Sequence, residues 1–540
     1  MIRKISFIVT LMVLISGIVS AQTAQDGLSL LNQKDYNGAK KIFTSLLKSD
    51  PKNAAAYYGM GEYYFYTGKP DSAKVFYQGG LDANSSYAYN LVGLGKVNVS
   101  TNAAEATQNF KDAIKKSKKD AGPVVAIAKY YYEQKNLVEA KKYIDQAITI
   151  DGKNAAAYFL DGQIDIAQNK ASDAALNFDR AIFFDPKNLD AYVYASQIMA
   201  TTRNLNKAVE YLNNALAIKP DFWKAYKALG ELYYDNQKYA DAVNSFATYF
   251  KNVPQDPDVT HYAYSLFFNK QYDEANNLLQ GLLKKNPNDY VLLRLLGYIS
   301  YETKDLVNGK AVMEKYFSLV PQDKILNDDY TYYGKMLSAS GQDSLAIEYY
   351  NRALQKDSTQ FQLYDEIAKA YKQMKKYDQS LAFSSKYMQK KPNKTTVDYF
   401  NLGKSYYLIA NSLKPDSIPS DSIKQKEYYL MADSLFSQVE TYSPTSYLGP
   451  FWRARANAAL DKETTQGLAK PFYEKALDII IKDPVKYKKD ISEIYAYLGF
   501  YYYVKDDTAT SIEYWKKLLE VDPENQKAQE AIASLEKKKK

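Results

Sequence analysis

The sequence predicts an all-α solenoid, in which helix–turn–helix units stack so that each unit contacts only its neighbours. The first reason is a strict period, because residues 155–256 contain three consecutive copies of one 34-residue pattern. A fixed period of this length is typical of a stacked repeat array. The recurring small, bulky and proline positions are Gly162, Ser196 and Gly230; Ala174, Ala208 and Ala242; Phe178, Leu212 and Phe246; Ala181, Ala215 and Tyr249; and Pro186, Pro220 and Pro254.

The second reason is the spacing of apolar residues inside each unit. They fall at helical intervals in two segments of about a dozen residues, separated by a short turn rich in Gly, Asn, Lys and Asp. Small residues such as Gly61 and Ala73 are expected where two helices cross, since they allow the axes to approach to about 8–10 Å. The Asp-Pro or Lys-Pro pair is expected to end the second helix, because the residue before proline disfavours helical geometry.

The same pattern resembles a known family, the tetratricopeptide repeat (TPR). The resemblance covers nearly the whole chain after its N-terminal segment, in about 14 units. It implies a right-handed superhelical solenoid of helix–turn–helix repeats. The residues that carry it in one unit are Ala155, Tyr158, Gly162, Ala174, Phe178, Ala181, Asp185 and Pro186.

The N-terminal segment, residues 1–21, has the three-part layout of a secretory signal peptide. Arg3 and Lys4 are basic, Ile5 to Val19 is almost wholly apolar, and small residues precede a cleavage site near Ala21. The apolar run is shorter than the roughly 20 residues of a spanning helix, so an uncleaved anchor is the lesser alternative. We therefore expect an exported protein, periplasmic or secreted, with no integral membrane segment after cleavage.

The rest of the chain is divided into segments according to how closely each follows the repeat pattern. Residues 22–410 form a regular array, residues 427–523 hold less regular repeats, and residues 524–540 form a capping helix with a lysine tail. Residues 411–426 are polar and contain prolines, which favours a loop inserted within one hairpin. Longer turns are also expected at residues 98–102 and 462–467.

Catalysis is not expected, because the residues that commonly carry it are scarce. The chain has one histidine, His261, no cysteine, and neither of the glycine-rich loops that cradle phosphate. His261 is expected to be an ordinary residue on a helix surface. An enzymatic alternative would need two acidic residues to converge after residue 400. The sequence thus predicts no enzyme, no cofactor and no metal site.

The charge of the chain argues against a nucleic-acid partner. The net charge is +8, and removal of Arg3 and Lys4 with the signal peptide leaves about +6 over the whole remaining chain. Binding to nucleic acid would require a concentrated basic surface. The outlier in composition is instead tyrosine, with 53 residues, a type that suits half-buried helix surfaces and binding surfaces.

The resemblance implies that the first helix of each unit lines a concave groove, with five positions per unit pointing into it. This mixture of rings and both charge signs suits a protein or peptide partner, with rings anchoring and charges selecting. The groove residues so predicted are Tyr58, Glu62, Phe65, Tyr66, Lys129, Tyr132, Phe159, Lys224, Lys227, Glu231, Tyr234, Arg294, Tyr298, Tyr301, Phe500 and Tyr503, with Glu133, Gln163, Asp235 and Glu302 beside them.

The leading interpretation is therefore a non-catalytic exported scaffold that binds proteins or peptides. One alternative is a carbohydrate- or cell-surface-binding protein, with Trp223 and Trp452 as candidates, although Trp452 falls at a packing position of the repeat. Another is a permanent subunit of an envelope complex. Arg453 and Asn457 come near the family's carboxylate clamp, but Tyr497 stands where the next Asn is needed, so a coincidence is favoured.

Overall fold

The structure is a computed structural model and describes residues 23–415 and 418–538. The predicted signal peptide lies outside the described residues. The chain divides between Lys270 and Gln271 into two compact units, here called unit 1 and unit 2. The described residues hold 29 α-helices, one short 3₁₀ turn and no β-strand. The prediction of an all-α solenoid is confirmed, and the number of helices agrees with about 14 two-helix repeats and one terminal helix.

Unit 1 alternates first helices, which carry odd numbers, with second helices, which carry even numbers. Its fifteen described helices are α1 (Ala24–Asn32), α2 (Tyr36–Ser49), α3 (Ala54–Tyr66), α4 (Pro70–Ala83), α5 (Tyr89–Asn98), α6 (Ala103–Ser117), α7 (Gly122–Glu133), α8 (Leu137–Ile150), α9 (Ala155–Ala167), α10 (Ala171–Phe184), α11 (Leu189–Thr201), α12 (Leu205–Ile218), α13 (Trp223–Asp235), α14 (Tyr239–Asn252) and α15 (Thr260–Phe268).

Unit 2 continues the same alternation. Its described elements are α16 (Tyr272–Lys285), α17 (Tyr290–Glu302), α18 (Leu306–Leu319), the 3₁₀ turn (Gln322–Lys324), α19 (Asn327–Ala339), α20 (Asp343–Lys356), α21 (Gln362–Gln373), α22 (Tyr377–Lys390), α23 (Thr396–Ser412), α24 (Pro419–Tyr442), α25 (Leu448–Leu460), α26 (Lys470–Ile480), α27 (Lys488–Val504), α28 (Thr508–Val521) and α29 (Gln526–Lys538).

The hairpins are held by small residues of the first helices packed on large rings of the second helices. The ring of Tyr77 is completely buried between Gly61 of its own repeat and Gly93 of the next. A Cβ atom added at either glycine would lie 2.3 Å from that ring, which is far inside van der Waals contact. Phe43 lies in the same way between Gly27 and Gly59. One ring thus joins two successive repeats, as the spacing of small and bulky residues predicts.

The Asp-Pro-Lys-Asn segments between repeats, at residues 50–53 and 185–188, cap the helix that follows. Asp50 accepts a hydrogen bond of 3.0 Å from the backbone N–H of Lys52, and Asn53 accepts one of 2.9 Å from that of Ala56. Asn53 is the N-cap of α3, and its side chain satisfies one of the amides that have no partner within the helix. The conspicuous polar residues of these segments therefore serve to start the next repeat.

The predicted loop at residues 411–426 is mostly wrong. Helix α23 continues to Ser412 and α24 begins at Pro419, so the last eight of those residues are helical. Proline is favoured at the first turn of a helix, because its φ is already helical and its missing N–H is not needed there. The added turns of α24 also find partners on α23, since Gln425 donates to the carbonyl of Ala410 (2.9 Å) and Tyr429 to Asn411 (2.6 Å).

The division at Lys270 lies inside the stretch predicted to be one regular array, residues 22–410. It follows α15, which has nine residues, whereas α9 and α13 have 13.

At the C-terminal end of the described residues, α29 packs on α28 and buries Ala528 and Leu535 in a cluster with Trp515. The other residues of α29 up to Lys537 are partly or fully exposed.

Overpacking one of the small positions is expected to be costly. Ala208 is completely buried on α12 against Leu229 and its neighbours, so Ala208→Leu should lower the free energy of unfolding by about 1–3 kcal/mol. Chemical denaturation followed by circular dichroism would measure it. Glu210→Leu, at an exposed position of the same helix, is the control. Equal midpoints for the two variants would contradict tight packing at Ala208.

Candidate functional site

The first helices of unit 1 surround one small cavity, here called the N-terminal pocket. Its volume is about 150 Å³. It draws on four successive first helices, α1, α3, α5 and α7, and so joins residues more than 100 positions apart. The lining residues are Gln25, Leu28, Leu31, Asn32, Tyr58, Glu62, Tyr66, Tyr89, Lys96, Ala126, Lys129 and Tyr130. Four of the predicted groove residues are thereby brought together, namely Tyr58, Glu62, Tyr66 and Lys129.

The base of the pocket is a buried ion pair between Glu62 of α3 and Lys96 of α5. The Lys96 Nζ atom lies 2.8 and 2.7 Å from the two carboxylate oxygens of Glu62, and both side chains are almost fully buried. The hydroxyl of Tyr77 also donates to Glu62 (2.7 Å). The Lys96 ammonium stands 4.6 Å from the ring centroid of Phe65, at a cation–π distance. Each of the two buried charges, on Glu62 and on Lys96, therefore has the opposite charge beside it.

The walls are tyrosine rings. Tyr58 packs on Tyr89 at 5.3 Å and on Tyr77 at 6.0 Å between ring centroids. Burial raises the pKa of Tyr58, Tyr66 and Tyr89, and the negative charge of Glu62 raises those of Tyr58 and Tyr66 further. The three phenols therefore stay neutral at ordinary pH, so they offer ring surface and hydroxyl groups without charge.

At the rim, hydrogen bonds join helices that are not neighbours in sequence. Lys129 of α7 donates to the side chain of Asn32 of α1 (2.8 Å), and Tyr66 of α3 donates to Glu133 of α7 (3.0 Å). Lys129 also lies 3.8 Å from the Glu133 carboxylate. The two lysines at the pocket thus each have a carboxylate partner, which leaves it without a local excess of charge.

The other charged groove residues predicted in unit 1 also have partners within the protein. Lys224 bonds to Asp190 (2.6 Å), Lys227 bonds to Asp256 (2.8 Å), and Glu231 contacts His261. The predicted aromatic residues Phe65, Tyr132, Phe159 and Tyr234 are half-buried. Tyr234 stacks on His261, Phe159 packs on Phe178 and Tyr194, and Phe65 packs on Tyr130.

In unit 2 the prediction that Arg294 and Tyr298 point into an open groove is wrong. Both are buried on Asp329 at the start of α19, at 2.9 Å from the Arg294 Nε atom and 2.6 Å from the Tyr298 hydroxyl. The hydroxyl of Tyr316 and the backbone N–H of Leu326 donate to the same carboxylate. These groove positions are used to join successive repeats. Tyr58 and Glu62 of unit 1 are also buried, although they border the N-terminal pocket.

The remaining predicted residues of unit 2 are more accessible. Tyr301 is half-buried and packs edge-on against Tyr332 at 5.6 Å between centroids. Phe500 and Tyr503, on α27, are each 41% exposed. Aromatic rings thus provide part of the accessible apolar surface of the first helices of unit 2, together with Val397 and Leu408 of α23.

Models of the tetratricopeptide repeat match four segments of the chain, residues 30–93, 124–154, 200–261 and 261–289. The crystal structure of the C-terminal part of a TPR repeat-containing protein from Cytophaga hutchinsonii shares 32% sequence identity, over 51% of this chain and 99% of that one, with a TM-score of 0.39. The chain belongs to the tetratricopeptide repeat family.

Two further similar structures are those of a TPR protein from Parabacteroides merdae and of PilF from Pseudomonas aeruginosa. The first shares 18% identity over 46% of this chain and 97% of that one, with a TM-score of 0.33. The second shares 16% identity over 39% and 94%, with a TM-score of 0.30. No curated protein matches the sequence significantly. The family models that match describe a repeat, and none of them describes an enzyme.

Two residue pairs of the TPR array had suggested specific ligands, Arg453 with Asn457 a peptide carboxylate and Trp223 with Trp452 a carbohydrate. In the structure both pairs contact other residues of the chain. Arg453 bonds to Asp433 (3.0 Å) and Glu440 (3.1 Å), and Asn457 donates to Asp433 (2.8 Å), so the partial carboxylate clamp is occupied by the chain itself. Trp452 is half-buried and packs edge-on against Phe400 and Tyr407 beside a buried cluster. Trp223 is half-buried and stacks on Tyr226.

Within the described residues, no group of three or more His, Asp or Glu side chains is placed to hold a metal ion. None of the helices in the same residues is long and apolar enough to cross a membrane.

Sequence reasoning missed several residues of the N-terminal pocket, above all Lys96, Tyr89 and Leu28. Lys96 could have been found from the sequence, because it is the only charged residue of α5. The other residues of that helix are Tyr-Asn-Leu-Val-Gly-Leu-Gly-Val-Asn. A lone lysine among apolar residues on a buried helix requires a partner. Leu28 and Tyr89 carried no such signal, since apolar and aromatic residues are common in every repeat.

Protonation of the Asp256 carboxylate in acid should lower the stability of the TPR array. Partial burial raises the pKa of Asp256, but hydrogen bonds from Lys227 and Tyr249 outweigh it and lower the pKa from 3.8 to about 2. A group with a lowered pKa stabilises the folded state above its unfolded pKa and loses that contribution as the pH falls through the folded value. Asp256→Asn should therefore reduce, by up to about 1 kcal/mol, the stability lost between roughly pH 4 and pH 2. Thermal unfolding of both proteins across this range measures it, and identical pH profiles would contradict it.

Proposed function

We propose that this chain is a non-catalytic, exported TPR scaffold that binds a protein or peptide partner through the first helices of its repeats. The observation that carries the proposal is the N-terminal pocket, a cavity that four first helices build jointly and line with neutral phenol rings. TPR proteins act as scaffolds for protein interaction. Aromatic residues are also the commonest energetic anchors of protein interfaces.

The ion pairs of the first helices indicate which kind of contact would hold such a partner. Lys96, Lys129, Lys224, Lys227 and Arg294 all have acidic partners within the chain. A partner that competed for them would have to replace an existing ion pair, which offers little net gain. A contact with the exposed part of a first-helix ring breaks no ion pair, so anchoring by apolar and aromatic contacts is favoured over selection by charge.

Export is supported by the layout of residues 1–21. Mass spectrometry of the protein purified from its own cells tests it, with an expected mature N-terminus at Gln22. Retention of Met1 on a chain recovered from the cytoplasm would contradict it.

Binding is tested by photo-crosslinking in the cells that produce the protein. A photoreactive phenylalanine replaces Tyr132 or Phe500, both on first helices, and Val138 serves as the control because it is 78% exposed on the second helix α8. We expect discrete adducts with partner proteins from the first-helix positions and none from Val138. Adducts that are absent at both first-helix positions, or equal at Val138, would count against the proposal. A stoichiometric complex that survives purification would identify the partner as a permanent subunit.

A further inference from the structure

The size, charge and lining of the N-terminal pocket indicate which side chain of a partner it can bind. The inference drawn from them rests on the proposed function. We propose that the pocket receives one uncharged aromatic side chain, a tyrosine or phenylalanine, from a peptide segment of the partner.

The size suits one ring. The cavity measures about 150 Å³, and an engineered protein cavity of about that volume holds one benzene molecule. A tryptophan side chain or a folded element is larger than the one ring that a cavity of this volume holds. A methyl-sized side chain would leave most of the space empty.

The charge balance excludes ionic side chains. A lysine or arginine that entered would meet Lys96 and Lys129, and a carboxylate would meet Glu62 beside two lysines that already have carboxylate partners. Glu62 and Lys96 already satisfy each other at 2.7 Å with both side chains almost fully buried. A charge brought into such a site loses its water without gaining a free counter-ion. A neutral group avoids this cost.

The lining suits a ring with a polar tip. Leu28 and Leu31 of α1 provide apolar surface, and the rings of Tyr58, Tyr66 and Tyr89 allow offset or edge-to-face contacts. Hydroxyl groups and the Glu62 carboxylate border the same space and can accept a hydrogen bond from a phenol. An entering tyrosine would thus find both kinds of partner.

The first test uses small probes on the purified mature chain. p-Cresol represents a tyrosine side chain, n-butylammonium a lysine and propionate a glutamate, and binding is followed by ligand-observed NMR titration. Leu28→Trp on α1 and Ala126→Phe on α7 each fill the pocket, and Leu176→Trp is the control, at a half-exposed position of the second helix α10. Circular dichroism confirms that each variant is folded.

We expect saturable p-cresol binding to the wild type and to Leu176→Trp, weakened at least tenfold in both filled variants. Either charged probe should bind at least tenfold more weakly than p-cresol. Unchanged p-cresol binding in Leu28→Trp and Ala126→Phe, or tighter binding of a charged probe, would overturn the inference.

The second test separates this inference from the scaffold function. Leu28→Trp is combined with the photoreactive residue at position 132, and its adducts are compared with those of the wild type and Leu176→Trp. A loss of at least tenfold in Leu28→Trp alone supports anchoring in the pocket. Unchanged adducts in Leu28→Trp overturn the inference while the scaffold function stands. An absence of adducts from all first-helix positions would overturn the scaffold function itself.

Discussion

Glu62→Leu is expected to lower the free energy of unfolding by about 3–5 kcal/mol, because it leaves the Lys96 ammonium buried without a counter-ion. The Lys96 side chain is only 4% exposed, and Glu62 provides both of its carboxylate contacts, at 2.8 and 2.7 Å. The Tyr77 hydroxyl would lose its acceptor as well. Hydrogen exchange measured by mass spectrometry should show the loss as faster exchange in α3 to α6.

Two variants control this prediction. Glu62→Leu combined with Lys96→Met removes both charges, so it should recover most of the lost stability. Glu210→Leu removes the carboxylate of an exposed pair, in which Lys207 lies 2.6 Å away, and should cost at most about 1 kcal/mol. If Glu62→Leu proved no more costly than Glu210→Leu, the ion pair would not be the support of the pocket that its burial indicates.

Asp329→Leu is expected to have a similar effect in unit 2, a loss of about 3–5 kcal/mol. Asp329 is completely buried and accepts hydrogen bonds from Arg294, Tyr298, Tyr316 and the backbone of Leu326. Its removal leaves the Arg294 guanidinium buried beside two phenol hydroxyls that have lost an acceptor. Hydrogen exchange should accelerate in α17 to α20, and the denaturation midpoint should fall.

Asp323→Leu is the matched control, since Asp323 lies just before the same helix with its side chain 72% exposed. It should change the stability by no more than about 0.5 kcal/mol. Equal exchange rates in the two variants would mean that the Asp329 network contributes little to joining the repeats, and that Arg294 has another way to be compensated.

The architecture of the repeats could be predicted from the sequence because it depends on contacts that recur at a fixed spacing. Gly61 and Tyr77 lie 16 residues apart and face each other within one hairpin. The loop prediction at residues 411–426 failed for a related reason. Pro419 and its polar neighbours suggested a turn, but hydrogen bonds to α23 that no local pattern reveals allow α24 to begin there.

The sequence by itself determined the all-α solenoid, the number of repeats and the dominance of aromatic residues on the first helices, since each follows from period, spacing or composition. Only the tertiary structure decided which of those residues meet. Lys96 pairs with Glu62 across 34 positions, Lys129 bonds to Asn32 across 97, and Arg294 turns inward to Asp329. A repeat pattern specifies where a side chain stands on its own helix. Whether it is buried, paired or open to a partner depends on non-patterned residues of repeats further along the array.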